Sequence, residues 1–317
     1  MELAPGQLQG GEVYVEPALM QTVPQVEPDL LQMLARTAAG TPAAGVSAAA
    51  EAALSRVIAG ALRHIEENCT DPVAVRRARE SLEESLSVEL VPTPSGGYLS
   101  SAGAGENADP ADRLRRLEEG AHLFVRVAQE FGEDAHALAI SATRLPGSQV
   151  QLSIFNSHGW GHLSDGLGLS AGFTTRHPAI GKVMQLEDAC RAMEFLNNRV
   201  VNFSDRTEQE DGAWRSPGAG LPLFVWLQTF GPDGVDLEPT GPQMTPQRFA
   251  DCGIEVQFAW LASVLPEADY KLAKAHVLNT LMHAPGSDEV DEAALQRLRE
   301  RVTSSLSGHA MATATAT

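Results

Sequence analysis

HALAISATRLPGSQVQLSIFN, residues 136–156, holds two runs of strand length around a turn signal. The first run starts at His136 and reaches Ser141; the second spans Gln149 to Asn156. Both alternate or run apolar, and Pro146-Gly147 between them is a turn pair, so the stretch predicts a β-hairpin. His136 opens the first strand and Asn156 closes the second. Antiparallel pairing across a short turn brings those two ends together, which lets an imidazole and an amide meet.

Further along, residues 245–254 read TPQRFADCGI. Ile254, Phe258, Leu261 and Leu265 follow three or four apart, which predicts a helix from about Gly253 to Leu265 with one buried face. Cys252 then falls at the helix N-terminus, where unpaired N–H groups and the helix dipole favour the thiolate. Gln247, five residues earlier, can donate a hydrogen bond to the oxyanion that thiolate attack on a carbonyl creates. A Cys at the start of a core helix is otherwise a structural residue. With His136 as base and Asn156 orienting it, Cys252 completes a set of the nucleophilic-triad type.

The order of His, an acid or amide about 20 residues on, and Gln-x4-Cys-Gly resembles the Ulp1-type cysteine protease clan, and within it the YopJ family of bacterial effector acyltransferases. His122-Leu123-Phe124-Val125-Arg126-Val127 forms a strand-like run ahead of the His, as in that family. Lys274-Ala275-His276-Val277-Leu278-Asn279 resembles a family Lys-x-His-x-x-Asn segment beyond the Cys. The resemblance covers roughly residues 110–285. Three departures stand out. Asn156 occupies a position usually held by Glu or Asp, and an amide can orient a His without stabilising an imidazolium by charge. Ala137 replaces a bulky neighbour of the His. The stretch from Ser157 to Thr245 is also longer than the family needs.

Composition bounds the rest. With 317 residues, 43% of them hydrophobic, the chain has material for one large domain plus an appendage, or for two domains. No apolar run approaches the length of a membrane span. Met1 to Pro5 has no basic or apolar signal region, so synthesis in a cytosol is expected. Cys69, Cys190 and Cys252, the only three cysteines, are too few and too scattered for a disulfide framework or a zinc pattern. A net charge of −18 argues against general nucleic-acid binding, which needs a basic face.

Along the chain, residues 1–27 read as disordered and 28–90 as a helical region, with helices at Pro28 to Ala39, Ser47 to Cys69 and Pro72 to Val88. Ser47 and Asp71 are the expected N-caps, the latter followed by Pro72 at the first helical position. The Pro- and Gly-rich 91–110 reads as a linker, 111–305 as the catalytic domain and 306–317 as a disordered tail. Inside the domain, Gln185 to Arg199 predicts a helix with Cys190 inward, Leu221 to Phe230 a strand, and Asp288 to Ser304 a final amphipathic helix. His158, His162 and Asp165 invite a metal reading, but two intervening glycines oppose a helix presenting both imidazoles. A loop beside the active site is the stronger reading, and His158 is the rival base to His136.

The expected fold is therefore α+β, a Ulp1-like core with helices on a mixed or antiparallel sheet of 122–128, 136–143, 149–156 and 221–230, and an N-terminal helical region packed on it. The YopJ resemblance implies an acetyltransferase, a virulence effector secreted through a type III system into a host cell. Cys252 would take acetyl from acetyl-CoA and pass it to Ser, Thr or Lys of a host protein substrate. It also implies allosteric activation by inositol hexakisphosphate, for which Lys271, Lys274 and His276 are candidates; their plain alternative is a solvated helix face. An isopeptidase of ubiquitin-like tails and a non-catalytic interaction protein are the other two readings. Oligomeric state is not legible.

Overall fold

The computed structural model describes residues 48–86, 90–92, 98–100, 110–131, 134–157, 177–198, 226–230, 237–244, 252–282 and 296. These form helices α1 (Ala48–Ile65), α2 (Pro72–Leu86), α3 (Pro110–Arg116), α4 (Leu186–Asn198), α5 (Cys252–Val264) and α6 (Glu267–Met282). The strands are β1 (Leu90–Pro92), β2 (Tyr98–Ser100), β3 (His122–Phe131), β4 (Asp134–Leu145), β5 (Gln149–Asn156), β6 (Ala179–Gln185) and β7 (Glu238–Pro239). The chain is α+β. The strands follow one another in spatial order β1 to β7, every neighbouring pair antiparallel.

The predicted hairpin is β4–β5. Its register runs unbroken from Leu145↔Gln149 to Leu138↔Asn156. The turn between them carries Gly147 at φ 72° and Ser148 at φ 62°, left-handed backbone that glycine adopts without cost. Successive side chains leave opposite faces of a strand, and both faces here are covered. Phe124, Ala137, Ala139, Phe155 and Ala179 pack against α1, α2, α5 and α6. Leu123, Val125, Leu138, Ile140, Leu152, Ile154 and Ile180 pack against α3, α4 and Trp226. A sheet between two helical layers explains strands that read as near-continuous apolar runs.

Local chemistry accounts for the helix ends. Asp71 Oδ1 accepts from the backbone N–H groups of Val73 and Ala74, which is N-capping as expected, with Pro72 next. Asp269 in α6, only 1% exposed, accepts from Thr70 N, Thr70 Oγ1 and Asp71 N at 2.7, 2.8 and 2.9 Å. Burial pushes its carboxyl up, the three hydrogen bonds outweigh that, and the net shift is downward. One carboxylate thereby ties the α1–α2 corner to α6.

Two expectations need correction and one an extension. Residues 226–229 form a helical turn, where a strand over Leu221 to Phe230 was expected. Trp226 and Leu227 are adjacent and both buried, a pattern strand alternation cannot give to a one-sided surface. The Trp226 indole N–H donates to the Ala192 carbonyl of α4 at 2.8 Å. The strand that follows β5 is instead β6, inside the stretch that read as an insertion. Within residues 91–110, β1 and β2 extend the sheet as a short hairpin, and Pro92 occupies the outermost strand, where a missing N–H costs no ladder bond. The expected helices at Pro28 to Ala39 and Asp288 to Ser304, the N-cap Ser47 and both disordered termini lie outside the described residues. Among the described residues, no helix is long and apolar enough to cross a membrane.

Candidate active site

Cys252 is the first residue of α5, the helix start that its spacing predicts. The helix is more deeply placed than a one-faced pattern implies. Val256 to Leu261 are buried without a break, as in a helix enclosed on all sides. On the sheet side the Trp260 indole packs on Phe124, ring centroids 4.5 Å apart, and donates to Ser141 Oγ at 3.0 Å. On the other side Ser55 of α1 donates to Gln257 Oε1 at 2.9 Å. Gln257 Nε2 in turn donates to the Gly253 carbonyl. These contacts fix α5 in rotation and height, and with it the backbone position of Cys252.

His136 and Asn156 lie on neighbouring strands. Asn156 is fully buried and pairs with Leu138 across the ladder; its backbone N–H donates to the Pro178 carbonyl at 2.7 Å. His136 is two positions before Leu138 in the same unbroken strand, a diagonal register relation to Asn156, and such positions are ~7–8 Å apart between Cα atoms. Among the described residues the β4–β5 ladder ends at Leu138↔Asn156, and the backbone of His136 is paired to β3 through Gln129.

The two groups of elements approach the sheet from different sides. Asn156 shares the alternation of Leu138, Ile140 and Ile154, which belongs to the α3–α4 face. The α5 helix packs on the face of Ala137, Ala139 and Phe155. Gln247, His158, His162 and Asp165 lie outside the described residues. Among the described residues, no group of three or more His, Cys, Asp or Glu could hold a metal ion.

The other two thiols differ in depth. Cys190 is fully buried in α4, and burial raises it to about 11. Cys69 is half-buried after α1; burial and the nearby Asp269 raise it too. The candidate cationic residues of α6 are spread around the helix. Lys271 pairs with Glu267 at 2.6 Å, both exposed. Lys274 Nζ lies over the Phe258 ring at 5.1 Å and the Tyr270 ring at 5.9 Å. His276 stacks on His64 of α1, centroids 4.6 Å apart, and burial with the His64 neighbour lowers its pKa. At 100° per residue, His276 falls far round the helix from both lysines.

A second polar group escaped the sequence reading. Arg113, in the basic run of α3, is 5% exposed and donates from Nε to Glu84 at 2.8 Å. Only its companions Ala111 and Leu114 in the core could have signalled that this stripe turns inward. Compared with models of known protein families, with curated proteins and with solved structures, the chain matches none.

Proposed function

We propose that this protein is a thiol-dependent acyltransferase of the YopJ type on a Ulp1-like core. The observation that supports the reading is Cys252 at the first residue of α5, a buried helix packed on β4 and β5, the strands that bear His136 and Asn156. In the proposed reaction His136 takes the Cys252 proton and the thiolate attacks the thioester carbonyl of acetyl-CoA. Gln247 donates to the oxyanion, CoA leaves as its thiol, and the acetyl group waits on Cys252. A host Ser or Thr hydroxyl, or a Lys amine, then takes the acetyl group as His136 removes its proton. Asn156 orients His136 and supplies no charge. Inositol hexakisphosphate as activator and type III secretion into a host cell belong to the same proposal, carried by the resemblance.

The direct test is incubation of the full chain with acetyl-CoA and inositol hexakisphosphate, followed by intact-mass and peptide mass spectrometry. An acetyl thioester on the Cys252 peptide, absent from Cys252→Ala, is the expected result. A ubiquitin-like vinyl-sulfone probe captured at Cys252 without any acetyl adduct would move the protein to the isopeptidase reading. The second reading, an interaction protein without turnover, draws on the placement of Asn156 on the face away from α5. It requires that neither reagent modifies Cys252.

A further inference from the structure

Helix α5 buries a glutamine where an apolar side chain would serve. Val256 to Leu261 are buried without a break, and Gln257 among them is 1% exposed. A leucine or methionine would fill that place with no polar group to satisfy. Both ends of the Gln257 amide are instead engaged. Its Oε1 accepts from Ser55 Oγ of α1 at 2.9 Å, and its Nε2 donates to the Gly253 carbonyl at 3.3 Å. Ser55 is fully buried as well. The two residues are 202 positions apart in sequence, so the joint forms only where α1 has docked on α5. A buried polar network whose members are satisfied rigidifies and specifies its surroundings.

What the joint grips is the first turn of α5. Side chains of a helix lean towards its N-terminus, so Gln257 reaches back over the turn that Cys252 begins. The Gly253 carbonyl lies in the same rigid peptide plane as the Ile254 N–H. N–H groups of a first turn have no acceptor within the helix, and they are the donors that steady a thiolate at a helix start. Fixing the Gly253 oxygen therefore fixes the direction of the Ile254 N–H, two residues past Cys252. Helix α1 packs on α2 and α6 and also reaches α5. Through Ser55 it holds the amide that holds this peptide.

We infer that Ser55 and Gln257 are positioning residues through which helix α1 sets the reactivity of the Cys252 thiol. This role rests on the thiol chemistry proposed above and adds to it a dependence on the N-terminal helices. Both residues act through the Gly253 peptide, and neither exchanges a proton in the reaction.

The test is the pH dependence of iodoacetamide alkylation in the full chain, followed at each of the three cysteines by peptide mass spectrometry. Parent, Ser55→Ala and Gln257→Met are compared; Met is unbranched like Gln and removes both polar contacts. The parent Cys252 midpoint should lie below the value of about 8.5 of a free thiol. In both variants it should rise, and alkylation at pH 7 should slow about two- to fivefold, the share of a helix N-terminus in stabilising an anion. Cys69 and Cys190 should react at parental rates, which a general loosening of the fold would not allow. A lowered parent midpoint that neither substitution moves overturns the assignment and leaves the thiol chemistry standing. A parent midpoint at the free-thiol value overturns both. Acceleration of all three cysteines in both variants marks a purely structural role and overturns the assignment too. If Gln257→Met alone exposes Cys190, Ser55→Ala decides.

Discussion

Cysteine reactivity separates by environment, and the three thiols here occupy three environments. Cys190 and Cys69 are held as thiols by burial, and Cys69 also by the charge of Asp269. A thiol at a helix start gains from the dipole and the free N–H groups. Iodoacetamide at pH 7 should therefore alkylate Cys252 at least tenfold faster than the other two, as read by peptide mass spectrometry over time. Equal rates for all three in the folded protein would remove the activated thiol. Asn156 poses the second question at this scale. Asn156→Asp should keep or raise acetyl transfer, and Asn156→Ala should lower it about ten- to a hundredfold if the amide orients His136. Because its alternation faces α3 and α4, parental activity in Asn156→Ala would assign the orienting role elsewhere. The positions of Cys252 and Asn156 at the ends of their elements were legible, since spacing and turn chemistry are local signals, whereas His136, expected to open its strand, is the third residue of β4, which starts at Asp134. Which sheet face each element covers was not legible, because that depends on which helices arrive from distant sequence.

Elements meet here through a few polar joints, and the joint of α1, α2 and α6 is the most titratable. Asp269 accepts three hydrogen bonds from the α1–α2 corner, and His276 stacks on His64. Both carry downward shifts, and the signs run the same way. The folded Asp269 binds its proton less readily than an ordinary Asp at 3.8, so its contribution is whole above that value and fades as pH falls through the lower folded one. The folded His276 is also less basic than an ordinary His at 6.5, so the unfolded chain gains protons first and stability drops as pH falls below that value. His276→Gln should flatten the melting temperature between about pH 7 and 5, and Asp269→Asn should flatten it below about pH 4. Asp269→Asn should also lower stability at pH 7 by about 1–3 kcal/mol, since an amide cannot accept all three bonds. Unchanged pH profiles in both variants would show that the joint contributes nothing. Helices α1, α2, α4 and α5 were readable from period and caps. Strand β6 was not: its buried face carries Lys182 and its open face carries Val183, the reverse of what alternation leads one to expect. That lysine is 5% exposed and donates to the Gln228 carbonyl of the turn at 226–229, a partner that only the folded chain provides.

The whole molecule is organised by one sheet that serves two cores. Phe155 faces the α1–α2–α5–α6 cluster while Ile154 beside it faces the α3–α4 cluster. Neither cluster can dissolve without exposing one side of β3, β4 and β5, so the two should unfold together, although they share no side chains. Leu261→Ala in α5 and Leu152→Ala in β5 test this from opposite faces. Both residues are fully buried, and each truncation should cost about 2–5 kcal/mol. With no common partner the costs should add in the double variant to within about 0.5 kcal/mol. Each single variant should shift the far- and near-ultraviolet circular dichroism transitions to the same new midpoint, as two-state unfolding requires. Two separated transitions, with each variant moving only one, would mean that the sheet does not couple its faces. The Cys252 helix would then melt independently of the strands bearing His136 and Asn156, and a site assembled from all three would lose its rigid support.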